Sequence, residues 1–201
     1  DPMIVFDDAN LELAAGAAVW GAFCNAGQSC SSVERLYVQE GAAEKLTRLI
    51  VEKTKQLKIG PGDREDVSIG AMSSERQVMI VEDHIADFRA SGAKIETGGR
   101  RSPHCGSPHV SKGLTFNATM DSLFFEPTII TGATNNMRAM QEETFGPTLP
   151  IATFKTEDEA IKLANDSEFG LTASVWTSDR ARGRRVAKQI EAGSVCVNEV
   201  L

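Results

Sequence analysis

The sequence predicts an α/β fold in which a mostly parallel β-sheet is covered by helices. Short β-like runs alternate with longer amphipathic helical patterns along nearly the whole chain, and this alternation is typical of parallel sheets with helical crossovers. A chain of 201 residues is long enough for one large domain with its own core. No internal repeat or low-complexity tract interrupts the pattern, so we expect one domain over residues 1–201.

The predicted elements follow one another closely. In chain order they are a strand at 3–6, a helix at 10–27, a strand at 35–38, helices at 42–57 and from 73 or 74 to 92, strands at 94–97, 124–131 and 149–154, a helix from 156, a strand at 173–176, a helix at 179–192 and a strand at 194–197. The strands are short runs of apolar residues, and the helices carry apolar residues at spacings of three and four.

Several boundaries are marked by residues with known end preferences. Asn10 and Thr156 are candidate N-caps, because their side-chain oxygens can accept a free amide of the first helical turn. Gly27 and Gly92 are positioned to end helices. Pro127 limits strand pairing around it, since proline has no amide proton to donate. Residues 100–119, rich in Ser, Pro, Gly and His, are expected to form an irregular surface loop.

Composition excludes several classes of function. Hydrophobic residues make up 41% and charged residues 24% of the chain, as in ordinary globular proteins. The formal charge of −7 argues against binding nucleic acid or an anionic membrane surface. No apolar run approaches the roughly 20 residues that a membrane-spanning helix needs. The basic run at 180–185 is interpreted as a solvated helix face.

The cysteines indicate a reducing compartment. Four occur, at positions 24, 30, 105 and 196, without the paired spacing of a metal site. A chain of this size does not need disulfides for stability, so we expect free thiols and a location in the cytoplasm or an organelle matrix. The histidines add no metal site, since His104 and His109 lie beside Cys105 in the irregular loop and offer too few ligands.

Two motifs carry the chemistry. Cys30 ends the run Asn25-Ala26-Gly27-Gln28-Ser29-Cys30, just past a glycine where the backbone turns sharply and amide groups can face a developing oxyanion. This placement suits a covalent nucleophile. A second motif, Glu-Glu-Thr-Phe-Gly-Pro, occupies residues 142–147. Together, and in this order, the two motifs resemble those of the NAD(P)-dependent aldehyde dehydrogenase superfamily.

The resemblance implies a fold and a set of roles. It implies a Rossmann-like catalytic domain, an aldehyde substrate and NAD or NADP as cofactor. Cys30 would attack the aldehyde carbon, and its amide would help to bind the oxyanion. Glu143 would bind the hydroxyls of the nicotinamide ribose, and Phe145 would contact the nicotinamide side of the cofactor. Gln77 aligns with a glutamine near the cofactor, and relatives are dimers or tetramers.

Each assignment has a simpler alternative. Isolated cysteines are usually small buried apolar residues. Glu143 by itself is a solvated loop carboxylate, and Phe145 could serve core packing alone. Gln77 could equally be structural. Asn198, at the end of the last predicted strand, is interpreted as structural.

The resemblance covers only part of a family member. Relatives have a nucleotide-binding domain and a general-base glutamate in a segment that would precede Asp1, and they continue into an oligomerisation strand after the region that ends here. We therefore expect the excised catalytic domain of a longer enzyme, weakly active in isolation. The substrate is expected to be a small aliphatic aldehyde or semialdehyde. The alternatives are a CoA-acylating dehydrogenase, an acyl-phosphate reductase and a non-catalytic homologue that serves as an interaction or structural protein.

Overall fold

The computed structural model describes residues 1–62, 64–102 and 123–200. In chain order its strands and α-helices are β1 (Pro2–Val5), α1 (Leu11–Phe23), β2 (Arg35–Gln39), α2 (Glu40–Thr54), α3 (Glu75–Ala90), β3 (Lys94–Thr97), β4 (Thr128–Thr131), β5 (Thr148–Phe154), α4 (Glu157–Asn165), β6 (Thr172–Trp176), α5 (Arg180–Ala187) and β7 (Ser194–Val197). Two short 3₁₀ turns lie at Cys24–Gly27 and Arg138–Met140. Every strand and helix expected within the described ranges is present.

The described strands form one sheet of seven, in the order β3-β4-β5-β2-β1-β6-β7. All neighbouring pairs are parallel except β3–β4, which is antiparallel. The prediction of a mostly parallel α/β sheet is therefore confirmed. Strands β1, β2 and β5 are buried along nearly their whole length. Burial on both faces explains why these strands are continuous apolar runs rather than alternating ones.

The register of β2 against β5 determines where the two sequence motifs lie. Leu36 of β2 pairs with Ile151 of β5 in a parallel ladder. Because adjacent parallel strands begin at the same edge of the sheet, the segments that lead into them lie next to each other. Those segments are residues 24–34 and 138–147, which contain the cysteine motif and the Glu-Glu-Thr-Phe-Gly-Pro motif.

Capping of the first helix confirms one boundary and corrects the other. Asn10 is the N-cap of α1, and its Oδ1 accepts the amide of Leu13 at 3.3 Å. The helix ends at Phe23 instead of Gly27, because Asn25 and Ala26 already have positive φ angles of 53° and 57°. Left-handed backbone cannot continue a right-handed helix, so Gly27 ends the following turn and not the helix.

Two further boundaries differ from expectation. Helix α5 ends at Ala187 rather than at residue 192. Beyond that end the backbone bonds to the side chain of Asn165, which donates to the carbonyl of Gln189 at 2.8 Å and accepts the amide of Glu191 at 2.9 Å. Strand β4 begins only at Thr128, directly after Pro127. Most of the irregular stretch at 100–119 lies outside the described residues, as does Cys105.

The basic run at 180–185 is only partly a solvated face. The guanidinium of Arg182 lies 5.0 Å from the centroid of the Phe6 ring and forms an ion pair with Asp8 at 3.3 Å. Arg185 pairs with Glu157 at 2.7 Å on the surface. The expectation of a solvated face is therefore wrong for Arg182, whose side chain extends from α5 onto Phe6 and Asp8, just after β1.

None of the described helices combines the length and the apolar character needed to cross a bilayer.

Candidate active site

The turn before Cys30 is held by its own side chains. Asn25 Nδ2 donates to the carbonyl of Gln28 at 2.8 Å, and the amide of Gln28 donates back to the carbonyl of Asn25 at 3.1 Å. These bonds support three consecutive residues with positive φ, of which only Gly27 is a glycine. Left-handed backbone at non-glycine residues is costly and concentrates at functional sites. The Asn-x-Gly part of the motif thus shapes the turn that presents Cys30.

Cys30 is exposed, in the turn that connects this segment to β2. Its backbone amide makes no hydrogen bond to any other described residue. An accessible thiol beside a free amide can attack an electrophilic carbon while the amide stabilises the resulting oxyanion. The alternative that Cys30 is a buried core thiol is therefore wrong. Cys24 and Cys196 are also free cysteines.

Gly27 brings the two motifs into direct contact. A Cβ atom on Gly27 would overlap the carbonyl oxygen of Gly146, and it would lie 3.0 Å from the carbonyl of Ala22. A Cβ atom on Gly146 would in turn overlap the side chain of Val81 in α3. Glycine at both positions therefore allows the cysteine turn, the second motif and α3 to pack without a gap.

Phe145 is held in a strained conformation by an acidic side chain from the cysteine segment. Its φ angle is +47°, and its amide donates to Glu34 Oε1 at 2.7 Å. The amide of Thr144 also bonds to Glu34. Burial raises the pKa of the Glu34 carboxyl, and the nearby Glu143 carboxylate raises it further, while the two amides oppose the change. Glu34 thus links the loop of Phe145 to the segment that carries Cys30.

Gln77 lies on α3 and contacts the second motif. Its Nε2 donates to the carbonyl of Thr144 at 2.7 Å. Gln77 therefore contacts the loop of the second motif through that loop's backbone, while its place near a cofactor stays a prediction. Glu143 is exposed and Phe145 is half-buried on the same loop. The structure brings Cys30, Gln77, Glu143 and Phe145 into one region, through the contacts of Gly27 and Thr144.

Three residues at the site were not singled out from the sequence. Glu34 looked like an ordinary charge at a strand entry, and His84 offered no motif. Gln28 belongs to the cysteine motif, but its contact could not be anticipated: its Oε1 accepts the amide of Ser73 at 2.7 Å, just before α3. The sequence shows that these residues are polar and lie between apolar positions. That pattern does not identify a hydrogen-bond partner 45 residues away, such as Ser73 for Gln28.

Asn198 and the candidate metal ligands lie outside the contacts described above. Asn198, interpreted as structural, has a φ angle of +58°, and its side chain accepts the amide of Thr177 at 3.0 Å and donates to the carbonyl of the same residue at 2.9 Å. Among the described residues, no group of three or more His, Cys, Asp or Glu side chains is placed to hold a metal ion. The loop residues His104, Cys105 and His109 lie outside the described part of the chain.

Comparisons with known proteins identify the family to which this chain is similar. The sequence profile of the aldehyde dehydrogenase family matches residues 1–201. The chain is 40% identical to 4,4'-diapolycopene aldehyde oxidase of Methylomonas sp, over 100% of this chain and 34% of that protein. It is 38% identical to a putative NADP⁺-dependent succinate-semialdehyde dehydrogenase of Mycobacterium bovis, over 99% of this chain and 36% of the relative. It is 40% identical to 3-sulfolactaldehyde dehydrogenase of Pseudomonas putida, over 98% of this chain and 37% of the relative.

A solved structure shows the same architecture. Betaine aldehyde dehydrogenase from Staphylococcus aureus, determined in complex with NAD⁺, matches with a TM-score of 0.89 and 36% sequence identity. The match covers 100% of this chain and 38% of that one. The chain thus spans a little over a third of the length of the relatives that it matches.

Proposed function

Since the chain belongs to the aldehyde dehydrogenase family, we propose that it forms the catalytic part of an enzyme that oxidises an aldehyde to a carboxylic acid with NAD or NADP. The observation that carries the proposal is the exposed Cys30 thiol, with its free amide, held against the loop of Glu143 and Phe145 through Gly27 and Gly146. We propose that residues 1–201 form one catalytic domain and that the whole protein is about as long as its relatives.

Cys30 is proposed as the nucleophile. Its thiolate attacks the aldehyde carbon and forms a thiohemiacetal, and its backbone amide stabilises the oxyanion. Loss of hydride from that carbon leaves a thioester on Cys30, and attack by water then releases the acid and restores the thiol. The thiolate, not the thiol, is the nucleophile, so the proton on sulfur must be removed before attack. A general base is therefore required for attack.

The second motif is proposed to hold the cofactor. A nicotinamide dinucleotide, when bound, supplies the hydride acceptor. The residues present fit such a cofactor. The exposed Glu143 carboxylate can accept hydrogen bonds from the two hydroxyls of a ribose, and the half-buried Phe145 ring offers an apolar surface to a flat heterocycle. Gln77 is proposed to act near the cofactor through its bond to the carbonyl of Thr144.

The substrate is proposed to be a small aliphatic aldehyde or a semialdehyde. Relatives named for succinate semialdehyde, 3-sulfolactaldehyde and betaine aldehyde support this class. The protein is further proposed to be a homodimer or homotetramer, located in the cytoplasm or an organelle matrix, with no nucleic-acid or membrane partner. The exposed side chains of Leu13 and Trp20 on α1, 63% and 55% accessible, support burial of this face in a larger assembly.

Aldehyde-dependent reduction of NAD and NADP tests the proposal. The assay uses a full-length protein that contains this chain, with aliphatic aldehydes and semialdehydes as substrates, each with and without CoA or phosphate. Cys30→Ser should abolish reduction. Cys24→Ser is the matched control, because it removes another exposed thiol six residues earlier and should retain activity.

The alternatives give different results. A strict requirement for CoA would identify a CoA-acylating dehydrogenase, and a requirement for phosphate would identify an acyl-phosphate reductase. A folded protein without activity toward any aldehyde, with either cofactor, would support the non-catalytic alternative.

A further inference from the structure

His84 is a buried side chain that the proposed chemistry does not use. It lies on α3, 2% exposed, and both of its ring nitrogens have partners. Nδ1 is 3.0 Å from Thr144 Oγ1, and Nε2 is 3.1 Å from Glu142 Oε2. An ionised carboxylate can only accept, so Nε2 carries the proton in the neutral ring and Nδ1 is the acceptor. The Thr144 hydroxyl therefore donates to His84.

Thr144 is held on three sides. Its hydroxyl donates to His84 Nδ1, its carbonyl accepts from Gln77 Nε2 at 2.7 Å, and its amide bonds to Glu34. Gln77 and His84 are seven residues apart on α3, two turns along one face of the helix. The Thr144 side chain is buried, at 3% exposure, between Glu143 and Phe145. Any freedom at Thr144 would therefore be passed directly to both neighbours.

The second bond of His84 keeps the ring in place. Glu142 Oε2 accepts from His84 Nε2 and also pairs with Arg138 NH1 at 3.1 Å. The other nitrogen of the same guanidinium donates to Asp83 on α3 at 2.6 Å. This chain of contacts fixes the orientation of the imidazole, and with it the direction in which Nδ1 faces Thr144.

We propose that His84 is a positioning residue for the dinucleotide: through Thr144 it holds Glu143 and Phe145 in the conformation that binds the cofactor. The proposal rests on the function proposed above, since Glu143 and Phe145 are assigned to the cofactor there. It assigns His84 no contact with substrate or cofactor and no proton transfer. The loss of its bond to Thr144 should therefore weaken binding of the dinucleotide and leave binding of the aldehyde unchanged.

Two amide substitutions separate the two bonds of the ring. His84→Asn places an amide near the position of Nδ1 and can keep the bond to Thr144. His84→Gln places an amide near the position of Nε2 and can keep the bond to Glu142. In the full-length protein, we expect His84→Gln to raise the KM for the dinucleotide about fivefold, as the loss of one buried hydrogen bond would. His84→Asn should stay within about twofold of wild type, within the scatter of such effects, and the KM for the aldehyde should not change in either.

Substitutions at Thr144 test the same bond from its other end. Thr144→Val removes the hydroxyl and should reproduce the effect of His84→Gln. Thr144→Ser keeps the hydroxyl and should retain the wild-type KM for the dinucleotide. Thermal unfolding of each variant shows that it is folded under the assay conditions. A purely structural role would lower the melting temperature of the two His84 variants without separating their KM values, and that result would overturn the inference.

Glu143→Gln distinguishes a failure of the proposal for His84 from a failure of the cofactor assignment on which it rests. If Glu143→Gln raises the KM for the dinucleotide while every His84 and Thr144 variant leaves it unchanged, the inference about His84 is wrong and the cofactor assignment stands. If Glu143→Gln leaves the KM unchanged as well, the cofactor assignment itself is wrong, and the inference is overturned with it.

Discussion

The carboxylate of Glu34 accepts the amide of Phe145 at 2.7 Å, across 111 residues of sequence. One partner follows the nucleophile candidate by four positions, and the other lies in the loop proposed to hold the cofactor. Phe145 has a φ angle of +47°, a conformation that bulky residues adopt only when their surroundings support it. The hydrogen bond from Glu34 supplies part of that support, so the two loops form one unit.

Glu34→Gln and Glu34→Ala should therefore differ. Glutamine keeps an oxygen that can accept the Phe145 amide and carries no charge to bury, whereas alanine leaves that amide without its acceptor. We expect Glu34→Ala to lower the free energy of unfolding by about 1–3 kcal/mol, the usual cost of an unsatisfied buried donor, and Glu34→Gln to lose less. Urea unfolding followed by circular dichroism measures both. Equal losses in the two variants would show that the Phe145 amide does not depend on this acceptor.

Gly27 should not tolerate alanine. The new Cβ would overlap the carbonyl of Gly146, and the φ angle of +71° adds backbone strain. We expect Gly27→Ala to abolish aldehyde oxidation and to lower the melting temperature. Gly16→Ala is the control: apart from its chain neighbours and the nearby backbone of α1, no atom lies within 4 Å of its Cβ position, in the middle of that helix. This control should stabilise the protein by up to about 1 kcal/mol, because alanine favours helix.

Asp8 should make the free energy of unfolding depend on pH in the acidic range. Although burial opposes the change, hydrogen bonds from Thr177, Ser178 and the amide of Asp179, together with the charge of Arg182, lower the pKa of Asp8. A lowered folded-state pKa stabilises the fold above the unfolded value, near pH 3.9, and this contribution is lost as the pH falls through the folded value.

Asp8→Asn removes that contribution. At pH 7 we expect a loss of about 1 kcal/mol in unfolding free energy, modest because the side chain is partly solvated. The difference between wild type and variant should shrink as the pH falls below 4, within the range where the Asp8 carboxyl becomes protonated. Unfolding at a series of pH values measures it. A difference that stays constant from pH 7 to pH 2 would contradict the assignment.

Tyr37→Phe tests the buried polar network beside β2. The Tyr37 hydroxyl donates to Asn135 Oδ1 at 2.9 Å and accepts from Arg35 NH1 at 3.2 Å. Its removal leaves the buried Asn135 Oδ1 without a donor and takes one of its acceptors from Arg35, which keeps the carbonyls of Ala164 and Asp166. We therefore expect a loss of about 1–3 kcal/mol in unfolding free energy. Activity at saturating cofactor and aldehyde should be unchanged, since the network does not touch the candidate site. Loss of activity without loss of stability would place Tyr37 in the mechanism.

The sequence predicted the fold class because its signals are local. Periodicity identified the strands and helices, and the cap residue Asn10 marked the start of α1 correctly. The errors occurred where a distant side chain binds the backbone or where the backbone itself changes conformation. The residues after α5 bond to the side chain of Asn165, and positive φ angles at Asn25 and Ala26 end α1 before Gly27. Hydrophobic periodicity contains no information about either effect.

By itself, the sequence determined the α/β class and a sharp turn before Cys30, because those inferences depend on residue type and short spacing. The candidate residues Gln77, Glu143 and Phe145 came instead from the resemblance that the two motifs carry. Only the tertiary structure decided that β2 and β5 are neighbours, and so that Gly27 contacts Gly146. It alone revealed the support that Glu34 and His84 give to the second motif. Strand order is a choice among many pairings of similar short apolar runs, and it is settled by how all the helices and loops pack together.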